Sequence, residues 1–190
     1  DIQGNPCLNK QGMAGYVQKF DKDGNAVALY QYNLNKELCM TTNGYAIWKC
    51  KYNKYGNIIK ESFYNEEGVP FITSHGYAKY VNKYNRKGQR LSMTCYGIDG
   101  KMCWHKEGFS QIKYKCDSQG NEIEEAYYGV DGEPCIYMNG YSKFQAKFDE
   151  RGLLIEKSFY GLDNNLCLCN DGYATIKYQY DNKGNNIETS

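Results

Sequence analysis

The sequence predicts an all-β fold, an elongated tandem-repeat array of short antiparallel strands joined by tight Gly turns. Three observations predict it: a 32-residue period runs through the chain, two Gly positions recur with that period, and apolar residues alternate with polar ones between the turns. Residues 1–190 are therefore predicted to form one repeat array. Its copies, numbered 1 to 6, span residues 1–31, 32–63, 64–95, 96–127, 128–159 and 160–190.

The two recurring Gly positions, or Gly columns, predict turns, because glycine adopts positive φ without steric cost. Around the second column, segments such as Asp117-Ser118-Gln119-Gly120-Asn121 have Asp first and Gly fourth, which is the chemistry of a type I turn followed by a bulge. Gly-Ile-Asp-Gly at 97–100 and Gly-Val-Asp-Gly at 129–132 predict a third turn. The first column comprises Gly12, Gly44, Gly76, Gly108, Gly140 and Gly172, and the second comprises Gly24, Gly56, Gly88, Gly120, Gly152 and Gly184.

The segments between the turns alternate with the period of a half-buried strand. Residues 142–148 read Ser-Lys-Phe-Gln-Ala-Lys-Phe, with apolar and polar side chains on opposite faces. Ile155 precedes Phe159 by four residues, which predicts that both lie on the core face. Each copy is thus expected to contain about three short strands. A unit of this size cannot bury its own apolar face, so neighbouring copies must stack.

Both ends of the sequence fall inside the repeat, and neither end carries a polar capping copy. Terminal copies of repeat proteins usually differ from the internal ones. We therefore expect the chain to be part of a longer array, or its ends to associate end to end.

Half of the repeat resembles the YD repeats of the RHS family. The resemblance rests on Tyr180-Asp181-Asn182-Lys183-Gly184-Asn185-Asn186-Ile187-Glu188 and on Phe20-Asp21-Lys22-Asp23-Gly24-Asn25. The segment Tyr-Tyr-Gly-Val-Asp-Gly at 127–132 also resembles the aromatic hairpins of bacterial choline- and glucan-binding repeats. These resemblances imply a bacterial β-hairpin array that acts as a shell or as a surface-binding module.

Charge and composition argue against several classes of function. The net charge of +1 provides no field that would steer the chain to nucleic acid or to an anionic membrane. The apolar runs are too short to cross a bilayer, so no membrane insertion is expected. An enzyme needs unique, mutually positioned groups, whereas near-equal copies offer repeated ones. We therefore predict that the chain is not an enzyme and has no cofactor.

The cysteines are predicted to be small apolar core residues. Five of them share one column, but Phe71 occupies it in copy 3, and a Phe cannot replace half of a disulfide or a metal ligand. Disulfides between copies and a metal site are the less favoured alternatives, and no metal is predicted. His75 and His105 occupy different columns and are predicted to be surface turn or strand residues. The Cys column comprises Cys7, Cys39, Cys103, Cys135 and Cys167.

Two columns are candidate binding residues. The Tyr column directly follows a core-face position, so its side chains are expected on the opposite face, either as an exposed ladder that stacks on a ligand or packed under the following turn. The Lys column alternates with the apolar face; it either solvates a strand face or binds a repeated anion such as an acidic glycan. The columns comprise Tyr32, Tyr64, Tyr96, Tyr128 and Tyr160, and Lys19, Lys51, Lys83, Lys115 and Lys147.

The sequence therefore predicts a non-catalytic repeat module of a larger bacterial protein, serving as a structural scaffold and as an interaction surface for a protein or glycan partner. The alternative is a carbohydrate-binding module that reads a cell-wall or host glycan through the Tyr column. Tandem repeats rich in Tyr and Asn favour a bacterial surface or secreted protein. Cysteines that are predicted to be reduced favour the alternative, the cytoplasm.

Overall fold

In the computed structural model, residues 7–190 are described, and the predicted start of copy 1 at Asp1 lies outside them. These residues contain twelve β-strands and no helix, and hence no helix that could cross a membrane. The strands are Gly15–Phe20 (β1), Ala26–Tyr32 (β2), Ile47–Tyr52 (β3), Ile58–Tyr64 (β4), Lys79–Tyr84 (β5), Arg90–Tyr96 (β6), Gln111–Cys116 (β7), Glu122–Tyr128 (β8), Lys143–Phe148 (β9), Leu154–Tyr160 (β10), Thr175–Tyr180 (β11) and Asn186–Thr189 (β12).

The strands follow one another in the sheet in the same order as in the chain. Each copy contributes one antiparallel hairpin, in which β3 pairs with β4 from Ile47↔Tyr64 to Tyr52↔Ile58. The predicted fold class, an all-β array of antiparallel hairpins with Gly turns, is confirmed. The chain divides into two compact units: the first extends to Asn82 and adds Thr94–Lys106, and the second comprises Lys83–Met93 and Glu107–Ser190.

The hairpin turns form as the Asp-x-x-Gly-Asn pattern predicts. In copy 4 the amide of Asn121 donates to the Asp117 carboxylate at 2.9 Å, and the amide of Gly120 donates to the Asp117 carbonyl at 3.3 Å. The register then shifts, because Cys116 pairs with Glu122 and Lys115 pairs with Glu124. This bulge leaves Ile123 out of the pairing.

Each copy has two strands rather than about three, and copies 2 to 6 each add one isolated bridge. In copy 2 the bridge joins Tyr32 to Leu38. One turn closes where the amide of Asn33 donates to the Glu37 carbonyl, and the next closes between Thr41 and Tyr45. Because only three residues lie between these turns, the expected third strand cannot extend.

Neighbouring copies are joined by backbone contacts between the turns of the first Gly column, which we call turn segments. The amide of Ser74 donates to the Asn43 carbonyl at 3.3 Å, and the amide of Lys106 donates to the His75 carbonyl at 2.9 Å. Gly44 is required at this junction, because its φ is +78° and a Cβ atom there would lie 2.8 Å from the Ser74 nitrogen. The turn segments therefore stack copy upon copy.

The core lies between the sheet and the turn segments, on the sheet face that carries Phe63, which we call the inner face. Aromatic side chains from strands and from turn segments alternate there, and this supplies the buried area that the scarce aliphatic residues cannot. Ring centroids lie 4.8–5.9 Å apart in the pairs Tyr45–Phe63, Phe63–Tyr77, Phe109–Tyr127, Tyr127–Tyr141, Tyr141–Phe159 and Phe159–Tyr173.

Candidate functional site

The Tyr column lies on the other face of the sheet, the outer face, where its side chains are half-buried. In β4, Tyr64 pairs with Ile47 and follows Phe63, whose ring is in the core. A Lys ammonium lies over each of four of these rings, so one face of the ring already has a cationic contact. The distances to the ring centroid are 4.7 Å for Lys49–Tyr64, 5.0 Å for Lys79–Tyr96, 3.8 Å for Lys113–Tyr128 and 5.2 Å for Lys143–Tyr160.

Grooves recur beside the Tyr column. Three of them, of about 410, 150 and 330 Å³, include the side chains of Tyr32, Tyr64 and Tyr128 respectively. One side of each groove is formed by residues at the start of the first strand of a hairpin. The other side is formed by an aliphatic side chain on the third turn of the next copy. The contributing pairs are Ala14 with Leu34, Ala78 with Ile98, and Ser142 with Leu162.

The Lys column is exposed on the outer face in all five copies that carry it. Two members pair with a Glu on the neighbouring strand: Lys115 with Glu124 at 2.7 Å and Lys147 with Glu156 at 2.7 Å. Lys51 differs, because its cross-strand neighbour is Lys60. Lys19 lies opposite the uncharged Ala28. The electrostatic setting of the column therefore differs from copy to copy.

The two Gly columns shape turns. All twelve of their glycines, which lie in the described part of the chain, have positive φ. At the third turn the same conformation is adopted by Gly68, Gly100 and Gly132, and also by two residues that carry side chains, Lys36 and Asn164, each with a φ of 62°.

In the Cys column, Cys7 is exposed and the other four members are half-buried rather than buried, and some of the thiols make a contact that the sequence does not predict. The thiol of Cys103 donates to the Gly76 carbonyl at 3.5 Å, and that of Cys135 donates to the Gly108 carbonyl at 3.3 Å. Burial raises the pKa of both thiols, and so do the nearby carboxylates of Asp99 and Asp131. These thiols are therefore protonated at neutral pH and join each copy to the preceding one.

The two histidines lie together, and the interpretation as a surface residue is wrong for His105. His105 is buried and stacks on Tyr77 at 5.5 Å, while His75 lies 5.8 Å from His105 between ring centroids. Within the described residues, no group of three or more His, Cys, Asp or Glu side chains could hold a metal ion.

Charged side chains also lie on the inner face of the second unit. The carboxyl groups of Glu122 and Glu125 are in hydrogen-bonding contact, and the Tyr127 hydroxyl donates to Glu125. Burial and the neighbouring Glu125 raise the pKa of Glu122 to about 7, against the opposing effect of Arg90 and Lys157. Two carboxyl groups in contact share a proton, so this group changes charge near neutral pH.

Another column, which sequence reasoning missed, consists of large apolar side chains directly after the Cys column. We call it the apolar column; its members are Leu8, Met40, Ile72, Trp104, Ile136 and Leu168. Met40 is half-buried, and the other five are between 38% and 66% exposed. The column could have been recognised, since every copy has an apolar residue at this position of the repeat. The period-two alternation, however, did not assign these residues to either face of the sheet.

The hairpin order, the recurring turns and the stacked turn segments decide the architecture. The chain is a tandem β-hairpin repeat module. No protein-family profile matches it, and no curated protein matches it.

Two solved structures are similar to this module at low identity. The Tc holotoxin pore of Photorhabdus luminescens aligns with 92% of this chain at 14% identity and a TM-score of 0.47. The TcdB2–TccC3 complex aligns with 92% of this chain at 15% identity and a TM-score of 0.46. In both alignments this chain spans 9% of the length of the matched chain.

Proposed function

We propose that the module is a non-catalytic scaffold that contacts a protein partner through the apolar column. The observation that carries this proposal is the exposure of that column: all six copies have a large apolar side chain there, and five of these are at least 38% exposed. Soluble proteins rarely leave contiguous apolar surface uncovered unless it binds something. Within each unit the turn segments stack, so these side chains follow one another along a common surface that suits an apolar polypeptide.

The scaffold role is supported by the contacts that the most regular columns make. The first Gly column and the Cys column make contacts between copies, as Gly44 does against Ser74 and Cys135 does against Gly108. The non-catalytic role is supported by the repetition of equivalent groups and by thiols that are protonated at neutral pH. A thiol is a poor nucleophile compared with its thiolate.

Trp104 provides a direct test, because it belongs to the apolar column and the chain has only one other Trp, Trp48. Peptides would be selected from a displayed random library and titrated against a Trp48→Phe variant. We expect Trp104 emission to shift to shorter wavelength as the peptide covers the ring. Replacing Leu8, Met40 and Ile72, the members of the column in the same unit as Trp104, with Ser should weaken binding roughly tenfold or more, because several apolar contacts are lost.

The matched control changes exposed aliphatic side chains elsewhere. Leu34, Ile98 and Leu162 lie on the third turns and are 49%, 64% and 58% exposed. Their replacement by Ser should leave peptide binding unchanged. Equal affinity of the selected peptides for the apolar-column variant and for the unmodified chain would overturn the proposal.

A second candidate function is carbohydrate binding. It is favoured by the Tyr side chains that line the outer-face grooves, because aromatic rings stack on sugars. The Lys ammonium over four of the five rings competes with such stacking, which makes this the weaker candidate. Changing Tyr64, Tyr96, Tyr128 and Tyr160 to Ser should abolish binding on a glycan array if sugars are the ligands. A wild-type chain that binds no glycan excludes this second function.

A further inference from the structure

The groove that includes Tyr64 is surrounded by unneutralised positive charge. Strand pairing places Lys49 opposite Ser62, and Lys51 opposite Lys60, on the outer face. On the other side of β4, Lys79 is opposite Ser62. Four lysines therefore lie on or beside one stretch of β4, and two of them, Lys60 and Lys79, line the groove. Among residues 7–190 none of the four has a carboxylate within ion-pair distance.

The other copies show that this charge arrangement is particular to copy 2. The position of Lys60 is occupied by Glu124 in copy 4 and by Glu156 in copy 5, and both of these pair with a member of the Lys column at 2.7 Å. In copy 2 the same position instead creates a cross-strand pair of like charges, which destabilises a sheet. Burial lowers the pKa of Lys60, and Lys79 and Lys51 lower it further, which is the expected effect of this repulsion.

We propose that this groove binds a tetrahedral oxyanion, a phosphate or sulfate group carried by a larger ligand. Lys60, Lys79, Ser62 and Tyr64 line the groove. Its volume of about 150 Å³ holds several water molecules, at about 30 Å³ each, and so has room for such a group. Two lysines in a small groove, with Lys49 and Lys51 on the neighbouring strand, suit a group carrying about two negative charges better than a single carboxylate.

The site is independent of the apolar column, with which it shares no residue. Its ligand would approach the outer face, where the ammonium groups supply charge and the Ser62 hydroxyl can donate a hydrogen bond. The rim is formed in part by Pro70 and Ile98, which can contact the uncharged part of the ligand. Anion binding would relieve the repulsion between Lys51 and Lys60, so the bound form should be the more stable one.

The decisive variant is Lys60→Glu, which restores the residue found in copies 4 and 5. It should be more stable than the unmodified chain without added anion, because Lys51 gains an ion-pair partner. Orthophosphate and sulfate, titrated separately at constant ionic strength, should raise the unfolding midpoint of the unmodified chain. Whichever of the two raises it further identifies the type of oxyanion. In Lys60→Glu the affinity should fall roughly tenfold or more, the effect of losing one charge-assisted contact.

The control is Lys87→Glu, which makes the same change in net charge at an exposed turn residue that does not line this groove. It should keep the anion response. A gain of function is also expected: Glu124→Lys places a lysine beside Lys115 and Lys143 in the corresponding groove of copies 4 and 5, and should create a second anion site. Any of three outcomes would overturn the proposal. The anions could shift the unfolding midpoint equally in Lys60→Glu and Lys87→Glu, acetate could shift that of the unmodified chain as much as phosphate or sulfate does, or the unmodified chain could show no shift at all.

Discussion

At the scale of the residue, the junction between copies depends on the absence of a side chain at the first Gly column. Gly44→Ala must accommodate both a positive φ and a Cβ atom 2.8 Å from the Ser74 nitrogen, whereas Gly56→Ala has a similar φ and nothing within 4 Å. We expect Gly56→Ala to lower the free energy of unfolding by about 1–2 kcal/mol. Gly44→Ala should cost about 1–3 kcal/mol more, because the backbone of the next copy must move. Denaturant unfolding measures both, and equal losses would contradict the role of the junction.

A second residue-scale prediction concerns pH. The pKa of Glu122 is raised in the folded protein, so the folded protein retains a proton that the unfolded chain loses. Stability should therefore fall as pH rises from about 4.5 to about 7. Glu122→Gln should remove this fall and be the more stable protein at pH 8, by on the order of 1 kcal/mol once solvent screening is allowed for. The free energy of unfolding at pH 4.5 and pH 8 tests this prediction, and Glu133→Gln, at an exposed residue, is the control. Parallel pH profiles of Glu122→Gln and the unmodified chain would contradict the prediction.

At the scale of the element, the third turn is strained where a side chain replaces glycine. Lys36 has a φ of 62° in a column that also holds Asn164 and, in three other copies, Gly68, Gly100 and Gly132. Lys36→Gly should raise the free energy of unfolding by about 0.5–1 kcal/mol, because the relief of left-handed strain exceeds the entropy cost of placing glycine there. Asn164→Gly should gain less, since Asn tolerates this conformation better than Lys. Lys22→Gly, in a turn at a residue without positive φ, should lose stability; if all three variants respond alike, the strain argument fails.

The turns and the hairpins could be predicted because each is encoded within a few consecutive residues. The number of strands could not, since the length of an extended segment depends on where both flanking turns close. The proximity of His75 and His105 was hidden because stacked turn segments bring different columns of successive copies together. The cluster around Lys60 was missed for a related reason: the sequence gives the Lys column, but cross-strand register decides which charges face each other.

At the scale of the whole molecule, stability should be transmitted mainly between adjacent copies. A Cβ atom at Gly76 would lie 2.8 Å from the Trp104 carbonyl oxygen. Gly76→Ala should therefore increase amide hydrogen exchange at the Lys106 amide, which bonds to the His75 carbonyl, and in the adjoining turn segments of copies 3 and 4. The Asn170 amide, which bonds to the Asn139 carbonyl, should keep its protection. A uniform increase along the chain would indicate a single cooperative unit instead.

The backbone bond between successive turn segments also bears on how such a chain evolves. The same two columns supply the donor and the acceptor at all five junctions, from Gln11 with Thr42 to Asn139 with Asn170. A gene duplication or deletion in register with the repeat therefore recreates a junction that already exists, and no new interface has to be selected. Copy number can change between lineages by recombination alone, while single copies diverge in the side chains that they expose.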